Sequence, residues 1–263
     1  MGPFYPEDTK PAEFLSYYAR QFDTVEVDAT YYAIPSARTV EGWVEKTPEG
    51  FLISAKFPRS IVHGGEGATP APDLILKPEA TYADRDRFLK VIATLGTRLG
   101  PLVLQFPYFS KKVFTSREPF LERLDRFLGD LPKNFEYGVE IRNKTWLKAD
   151  FADLLRRHQV SLVLVDQAWM PHGDEVEKLF DPVTGGVCYI RLLGDRQQIE
   201  AITKTWDREV IDREESLERW SAFLVRMMAR QIRTLVYINN HYAGHAPATL
   251  RRLKELFERA AAQ

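Results

Sequence analysis

The 263-residue chain predicts an α/β fold, a TIM-type (β/α) barrel formed as a single domain over residues 1–263. Three observations predict it. Seven short β-branched runs alternate with amphipathic stretches, and strand–helix alternation of this kind gives parallel pairing through right-handed crossovers. No break in composition and no flexible linker divides the chain. The alternative, a doubly wound open sheet, ordinarily carries a Gly-rich phosphate turn after its first strand; neither G-x-G-x-x-G nor G-x-x-x-x-G-K-S/T occurs.

In chain order, Phe14, Leu15 and Tyr18 form the stripe of an opening helix. The run "TVEVDATYY" (24–32) reads as the first strand, and a helix with Val40, Trp43 and Val44 inward follows it. "FLISAKF" (51–57) is the second strand; a helix holding Phe88, Val91, Ile92 and Leu95 leads to "PLVLQF" (101–106). The tetrad "TSRE" (115–118) reads as a Thr-x-x-Glu capping box, opening a helix with Phe120, Leu124, Phe127 and Leu131 on its core stripe. "FEYGVEIRNKTW" (135–146) holds the fourth strand. The helix after it opens at Asp150, buries Phe151, Leu154 and Leu155, and closes at His158, where a helix C-terminus favours positive charge. "SLVLVD" (161–166), "GVCYIRLL" (186–193) and "TLVYINN" (234–240) complete the set of strands. The stretch "SLERWSAFLVRMMAR" sets Leu217, Trp220, Leu224 and Met227 or Met228 on one face. The last helix has Pro247 in its first turn and Leu250, Leu253, Leu256 and Phe257 inward. Two connections, residues 58–84 and 194–216, follow strand C-termini and have the length of functional loops or lids.

Composition narrows the function classes. With 36 basic and 37 acidic side chains, the net charge of −1 gives no global attraction to nucleic acid or anionic lipid, so an anion would have to be held by a local cluster. Cys188 is the sole cysteine, which rules out an intrachain disulfide. The start of the chain lacks the pattern of a signal peptide and no apolar run approaches a membrane span, so a soluble cytoplasmic protein is expected.

Each strand run carries polar residues near its C-terminal end. They are Glu26 and Asp28, Lys56, Gln105, Glu140 and Arg142, Asp166, Arg191, and Asn239 with Asn240. A barrel brings its strand ends to one mouth, so residues far apart in sequence can share a cavity there. Buried charges are costly unless paired, and an ion-pair network that only fixes packing is the competing account of the same residues. As a functional pocket, Glu26, Glu140 and Asp166 are candidate catalytic carboxylates. Lys56, Arg142 and Arg191, with Arg59, are candidates to hold a phosphate or carboxylate. His63, His241 and His245 are candidate metal ligands beside the carboxylates, but no H-E-x-x-H or paired cysteines accompany them, so the cofactor is unassigned and a divalent metal is not expected. The segment "GHAPATL" starts the last helix; its free amides form either a phosphate site or a plain helix start. Tyr108, Phe109 and Trp169 follow strand ends and are candidates to stack on a ring or base. No G-x-S-x-G elbow occurs, and Cys188 lies in mid-strand as core filler.

The segments "FDTVEVDATYYAIPSARTVEGWVEKTPEGFLISAKFPRSIVH", "LGPLVLQFP", "YGVEIRNKTW", "YIRLLG" and "YINNHYAGHAPAT" resemble, in order and across nearly the whole chain, the domain of unknown function 72 family, also called YecE-like proteins. The resemblance implies a TIM-type barrel with no settled activity; a likeness of sugar isomerase and endonuclease-type barrels to the family is one of fold. It maps the family's motifs onto Glu26, Lys56, Arg59, His63, Gln105, Glu140, Arg142, Trp146, Asp166, Arg191, Asn240 and the turn from Gly244 through His245 to Pro247. Against the family pattern, the usual first strand is missing before "GPFYP", Leu193 replaces a polar pocket residue, and Thr249 stands where Asn is common. A missing strand would leave open edges through which the protein could oligomerise. Three functions follow as expectations: an enzyme doing acid–base chemistry on a small anionic, phosphorylated or sugar-like substrate; a nucleic-acid binding or phosphodiester-cleaving protein; or a non-catalytic ligand sensor. Asp28, Gln105, Asn240 and His245 join the cations and His63 as expected substrate-binding residues.

Overall fold

Seven parallel strands follow one another around a nearly closed, barrel-shaped sheet in the order of the chain. In the computed structural model, which describes residues 4–65 and 67–262, the first half runs α1 (Phe14–Tyr18), β1 (Thr24–Val27), α2 (Ala29–Tyr32), α3 (Ala37–Lys46), β2 (Leu52–Lys56), α4 (Arg59–Val62), α5 (Pro78–Ile92), β3 (Leu99–Gln105) and α6 (Glu118–Gly129). The second half runs β4 (Tyr137–Glu140), α7 (Ala149–Arg157), β5 (Ser161–Asp166), α8 (Gly173–Glu177), β6 (Cys188–Leu192), α9 (Arg196–Ile202), α10 (Glu214–Ala229), β7 (Thr234–Ile238) and α11 (Ala246–Ala261). The first three residues, on which the reading of a missing opening strand partly rests, lie outside the described residues.

The alternation of side chains along each strand creates two cores. Outward residues such as Ile53, Leu102, Leu104, Val139, Leu162, Leu164 and Ile190 pack under the helices with Phe88, Phe120, Phe127, Phe151 and Trp220. Inward residues form a smaller group inside the ring: Val103, Val163, Val165, Val187, Tyr189 and Leu235, with Leu52, Leu193 and Tyr237 against them. The interior is close-packed at Gly138, where an added Cβ would come within 2.9 Å of Val163 Cγ2. Leu193, read in the sequence as the loss of a polar pocket residue, belongs to this inner group.

β1 and β7 are the two ends of the sheet; each pairs on one side only, β1 with β2 and β7 with β6. They are also more exposed than the central strands: β1 is half-buried throughout and β7 everywhere but Leu235, whereas β4 is fully buried. Side chains join what the ladders do not. Tyr237 Oη on β7 lies 2.7 Å from Thr24 Oγ1 on β1 and 2.8 Å from Ser54 Oγ on β2.

Several sequence expectations are corrected at element ends. The first strand stops at Val27, and residues 29–32 turn into α2 because Thr30 Oγ1 donates to Val27 O (3.2 Å) and accepts the Lys56 amide (3.0 Å). The fourth strand stops at Glu140, leaving Arg142 beyond it. The capping box does not form: α6 starts at Glu118 with Arg117 at the cap position and no capping side chain, and Arg117 is engaged by Asp150 of α7 instead. Both long connections contain helices, α4 in one and α9 in the other. In α10, Phe223 takes the buried place expected of Leu224, and Met227 rather than Met228 faces inward. Among the described residues no helix is long and apolar enough to cross a membrane.

Candidate functional site

The inward-facing alternation that fills the ring with valine and tyrosine ends, at the C-terminal mouth, in charge. Glu26 (β1), Lys56 (β2), Gln105 (β3), Glu140 (β4) and Arg191 (β6) meet there, and Arg191 is the hub. Its Nε and Nη2 donate to Glu26 Oε1 at 3.1 and 2.8 Å, and its Nη1 donates to Gln105 Oε1 at 2.8 Å and to Glu140 Oε2. Glu140 Oε1 accepts from Arg142 Nε at 2.9 Å. Lys56 Nζ lies 3.4 Å from Glu26 Oε1 and pairs with Asp28. Below them Tyr189 Oη donates to Glu26 Oε2 at 2.7 Å, and its ring stacks on Tyr237 at 4.8 Å between centroids.

Three cations thus face three carboxylates, which is what allows the group to be buried at all. Glu140 is wholly buried and the Arg191 and Glu26 side chains nearly so. Burial pushes the Glu140 carboxyl up, but Arg191, Arg142 and Lys56 outweigh it and hold it at about 2. Burial likewise opposes the charge on Arg191, and Glu140 and Glu26 reverse that, so its guanidinium is held more firmly protonated than an ordinary arginine. The Tyr189 hydroxyl is raised well above the usual range by burial and by Glu26, so it acts as a donor. Arg142 differs from the other members: its side chain is 24% exposed, and beyond the Nε contact its terminal nitrogens have no partner among the described residues.

Other candidates sit apart from this cluster. Asp166 has the opposite alternation to Val163 and Val165 and points out of the ring. Its Oδ2 accepts from Ser216 Oγ (2.8 Å), Trp220 Nε1 (2.8 Å) and Tyr242 Oη (2.9 Å), in the helix-side core. It is therefore not brought together with Glu26 and Glu140. Arg59 holds its own loop, donating to Gly65 O (3.1 Å) and Gly67 O (2.6 Å), and His63 is buried just past α4. Asn240 Oδ1 accepts the Ala246 amide (2.8 Å), His245 is the buried cap residue of α11, and its carbonyl accepts from Ala248 and Thr249. With Pro247 lacking an N–H and Thr249 Oγ1 donating to Glu209 (2.6 Å), the first turn of α11 is a plain helix start rather than an open anion cradle. Asn239 is turned to His241, whose amide and Nδ1 lie 2.9 and 2.6 Å from its Oδ1. Among the described residues no three His, Cys, Asp or Glu side chains gather closely enough to hold a metal. Cys188 is buried in the outer core, where burial pushes its thiol up to about 12.

The mouth also carries aromatics. Tyr32 at the end of α2 and Tyr108 and Trp169 on the loops after β3 and β5 are exposed, and the Trp169 indole donates to Arg142 O at 3.3 Å. Phe109, by contrast, is core, its amide and carbonyl both bonded to the Asn143 side chain at 2.8 Å. Tyr189, Tyr237 and Tyr31 are the residues sequence reasoning missed. Tyr189 was legible as the residue two before Arg191, on the same face; Tyr31, which feels the charges of Arg59, Arg142 and Glu140, sits on a helix read as strand. A cleft of about 560 Å³ opens at the opposite end of the barrel, lined among others by Glu136, His158, Thr184 and Gly186. The ionic side chains converge at the other end, where barrels keep their catalytic groups.

A family model described as "Protein of unknown function DUF72" matches residues 1–263. The UPF0759 protein YecE of Escherichia coli (strain K12) is 33% identical over 171 residues, covering 62% of this chain and 57% of that protein. The UPF0759 protein YunF of Bacillus subtilis (strain 168) is 28% identical over 148 residues, covering 56% of this chain and 49% of that protein. The chain therefore spans about half the length of the curated relatives it matches. A crystal structure of a DUF72 family protein from Thermotoga maritima MSB8 superimposes with a TM-score of 0.70 at 27% identity, covering 100% of this chain and 94% of that one. One from Enterococcus faecalis V583 gives 0.65 at 21% identity, covering 95% of each, a likeness of fold.

Proposed function

The chain belongs to the DUF72 family, and we propose that it is an enzyme that binds a small anionic substrate, phosphorylated or sugar-like, at the strand-end mouth and acts on it by acid–base chemistry. The observation that carries this reading is Arg142. Its Nε is fixed by a fully buried carboxylate, while its partly exposed terminal nitrogens keep the planar donor pair with which arginine binds carboxylate or phosphate.

In this reading Glu140 is an anchor. A carboxylate held at about 2 stays ionised at neutral pH, so it neither delivers a proton nor competes well for one. The base is then Glu26, held by hydrogen bonds from Tyr189 and Arg191, with Lys56 beside it as the proton donor. Asp166, on the far side of the sheet, takes no part.

Thermal-shift measurements with a panel of phosphorylated and carboxylated metabolites, with and without divalent metals, test the proposal. A cognate ligand at 100 times its Kd stabilises by about 2.7 kcal/mol, and Arg142→Gln removes the shift. A panel in which nothing raises Tm would sink it. The exposed Tyr32, Tyr108 and Trp169 favour a second reading, single-stranded nucleic acid stacked across the mouth. That reading requires gel retardation that weakens steeply with added salt, and fails if none occurs at low salt.

A further inference from the structure

Asp28 stands at the cap position of α2, where an aspartate ordinarily accepts a hydrogen bond from an amide of the first turn, yet its side chain makes no capping bond. It reaches to Lys56 Nζ instead. The pair is unequal: the Lys56 side chain is 7% exposed and that of Asp28 60%. Glu140 is held by two arginines, and Glu26 by Arg191, Lys56 and Tyr189; Lys56 is the one partner of the Asp28 carboxylate among the described residues.

Charge balance gives this asymmetry a meaning. Lys56, Arg142 and Arg191 are matched by Glu26, Asp28 and Glu140, so an added anion would leave the mouth net negative unless a carboxylate left. Glu26 and Glu140 are buried and cannot leave without stranding a buried guanidinium. Asp28 can. An exposed carboxylate with one ionic partner is released at small cost, because water can solvate it once it leaves Lys56.

Building on the anion-site reading above, we propose that Asp28 is an internal stand-in for the substrate's anionic group. The incoming oxyanion, a carboxylate or a phosphate monoanion, replaces Asp28 on Lys56 and extends to the terminal nitrogens of Arg142. Asp28 turns out to water. A monoanion exchanges for Asp28 with no change in the charge of the cluster, which selects for a singly charged headgroup. Because α2 also carries Tyr31 and Tyr32, the same movement ties occupancy of the ionic floor to the aromatic side of the mouth.

The full chain is titrated with inorganic phosphate and, separately, with glycerate, and Kd is read from amide chemical shifts. Four forms are compared: wild type, Asp28→Asn, Arg142→Gln, and Glu49→Gln as a control at an exposed carboxylate before β2. Asp28→Asn, an exposed change that leaves the fold intact, binds at least one probe about fivefold tighter than wild type, the factor expected from deleting one exposed competing ion pair. Glu49→Gln binds as wild type, and Arg142→Gln loses binding. The probe that gains more identifies the headgroup, phosphate or carboxylate. If Asp28→Asn binds both probes no tighter than wild type while Arg142→Gln still abolishes binding, the anion site stands and the stand-in role is overturned. If no form binds either probe, both fall together.

Discussion

Glu140 holds two guanidinium groups with one buried carboxylate. It anchors Arg191 and Arg142 from a site with no access to water. Glu140→Gln leaves both guanidinium groups short of a counter-charge and costs about 3–5 kcal/mol in urea unfolding, the usual penalty for breaking a buried pair from one side. Its titration gives a second measure. The folded value of about 2 lies below the ordinary 4.5, so the carboxylate contributes stability that is fully present above about 4.5 and lost as pH falls toward 2. The loss is on the order of 3 kcal/mol, and it is absent from the acid limb of Glu140→Gln. At this scale the sequence was readable wherever alternation was followed: Glu26, Lys56, Gln105, Glu140 and Arg191 all share the inward face of their strands with the valines and tyrosines of the inner core. Asp166 ends a strand too, but it is one step out of phase with Val165, and nearness to a strand end overrode that count. Asn240 and His245 follow the last strand and serve the start of α11; the helix start was legible in "GHAPATL", but the bond from the Ala246 amide to Asn240 was not.

Elements were legible in type and blurred at their ends, for a physical reason visible at α2. Residues 28–32 have the aromatic and β-branched character of a strand, yet Thr30 bends them into a turn of helix by bonding the amide of Lys56 on the neighbouring strand. That bond joins residues 26 apart in the sequence, so no local pattern contains it. It also fixes the backbone from which Lys56 enters the mouth. Thr30→Val keeps the shape and removes the acceptor, stranding a buried amide; chemical denaturation should register a loss of about 1–3 kcal/mol. A loss below 0.5 kcal/mol would show that the bond does not hold α2 in place. The capping box failed for a similar reason: Arg117 is recruited by Asp150 on the next helix, and a tertiary ion pair sets where α6 begins.

For the molecule as a whole, strand number and order follow from the sequence, because alternation and short crossovers leave few other arrangements. How the ring closes does not, since closure depends on side chains of strands far apart in the chain. Six ladders and one cluster of hydroxyls around Tyr237 complete the circuit. Tyr237→Phe removes both hydroxyl contacts at once, with a cost of about 1–2 kcal/mol. In hydrogen exchange the amides of β1 and β7 should lose protection while those of β3 to β5 keep theirs; uniform loss across all seven strands would refute a local role.

The half-exposed boundary between β1 and β7 has a mechanical consequence. A split cylinder can change its bore without tearing any of its hydrogen-bonded staves, and here the rivet across the split, near its upper rim, is ionic: Glu26 on one lip, gripped by Arg191 and Tyr189 from the stave beyond the other. Whatever alters the grip on Glu26 therefore also alters how tightly the tube is drawn shut.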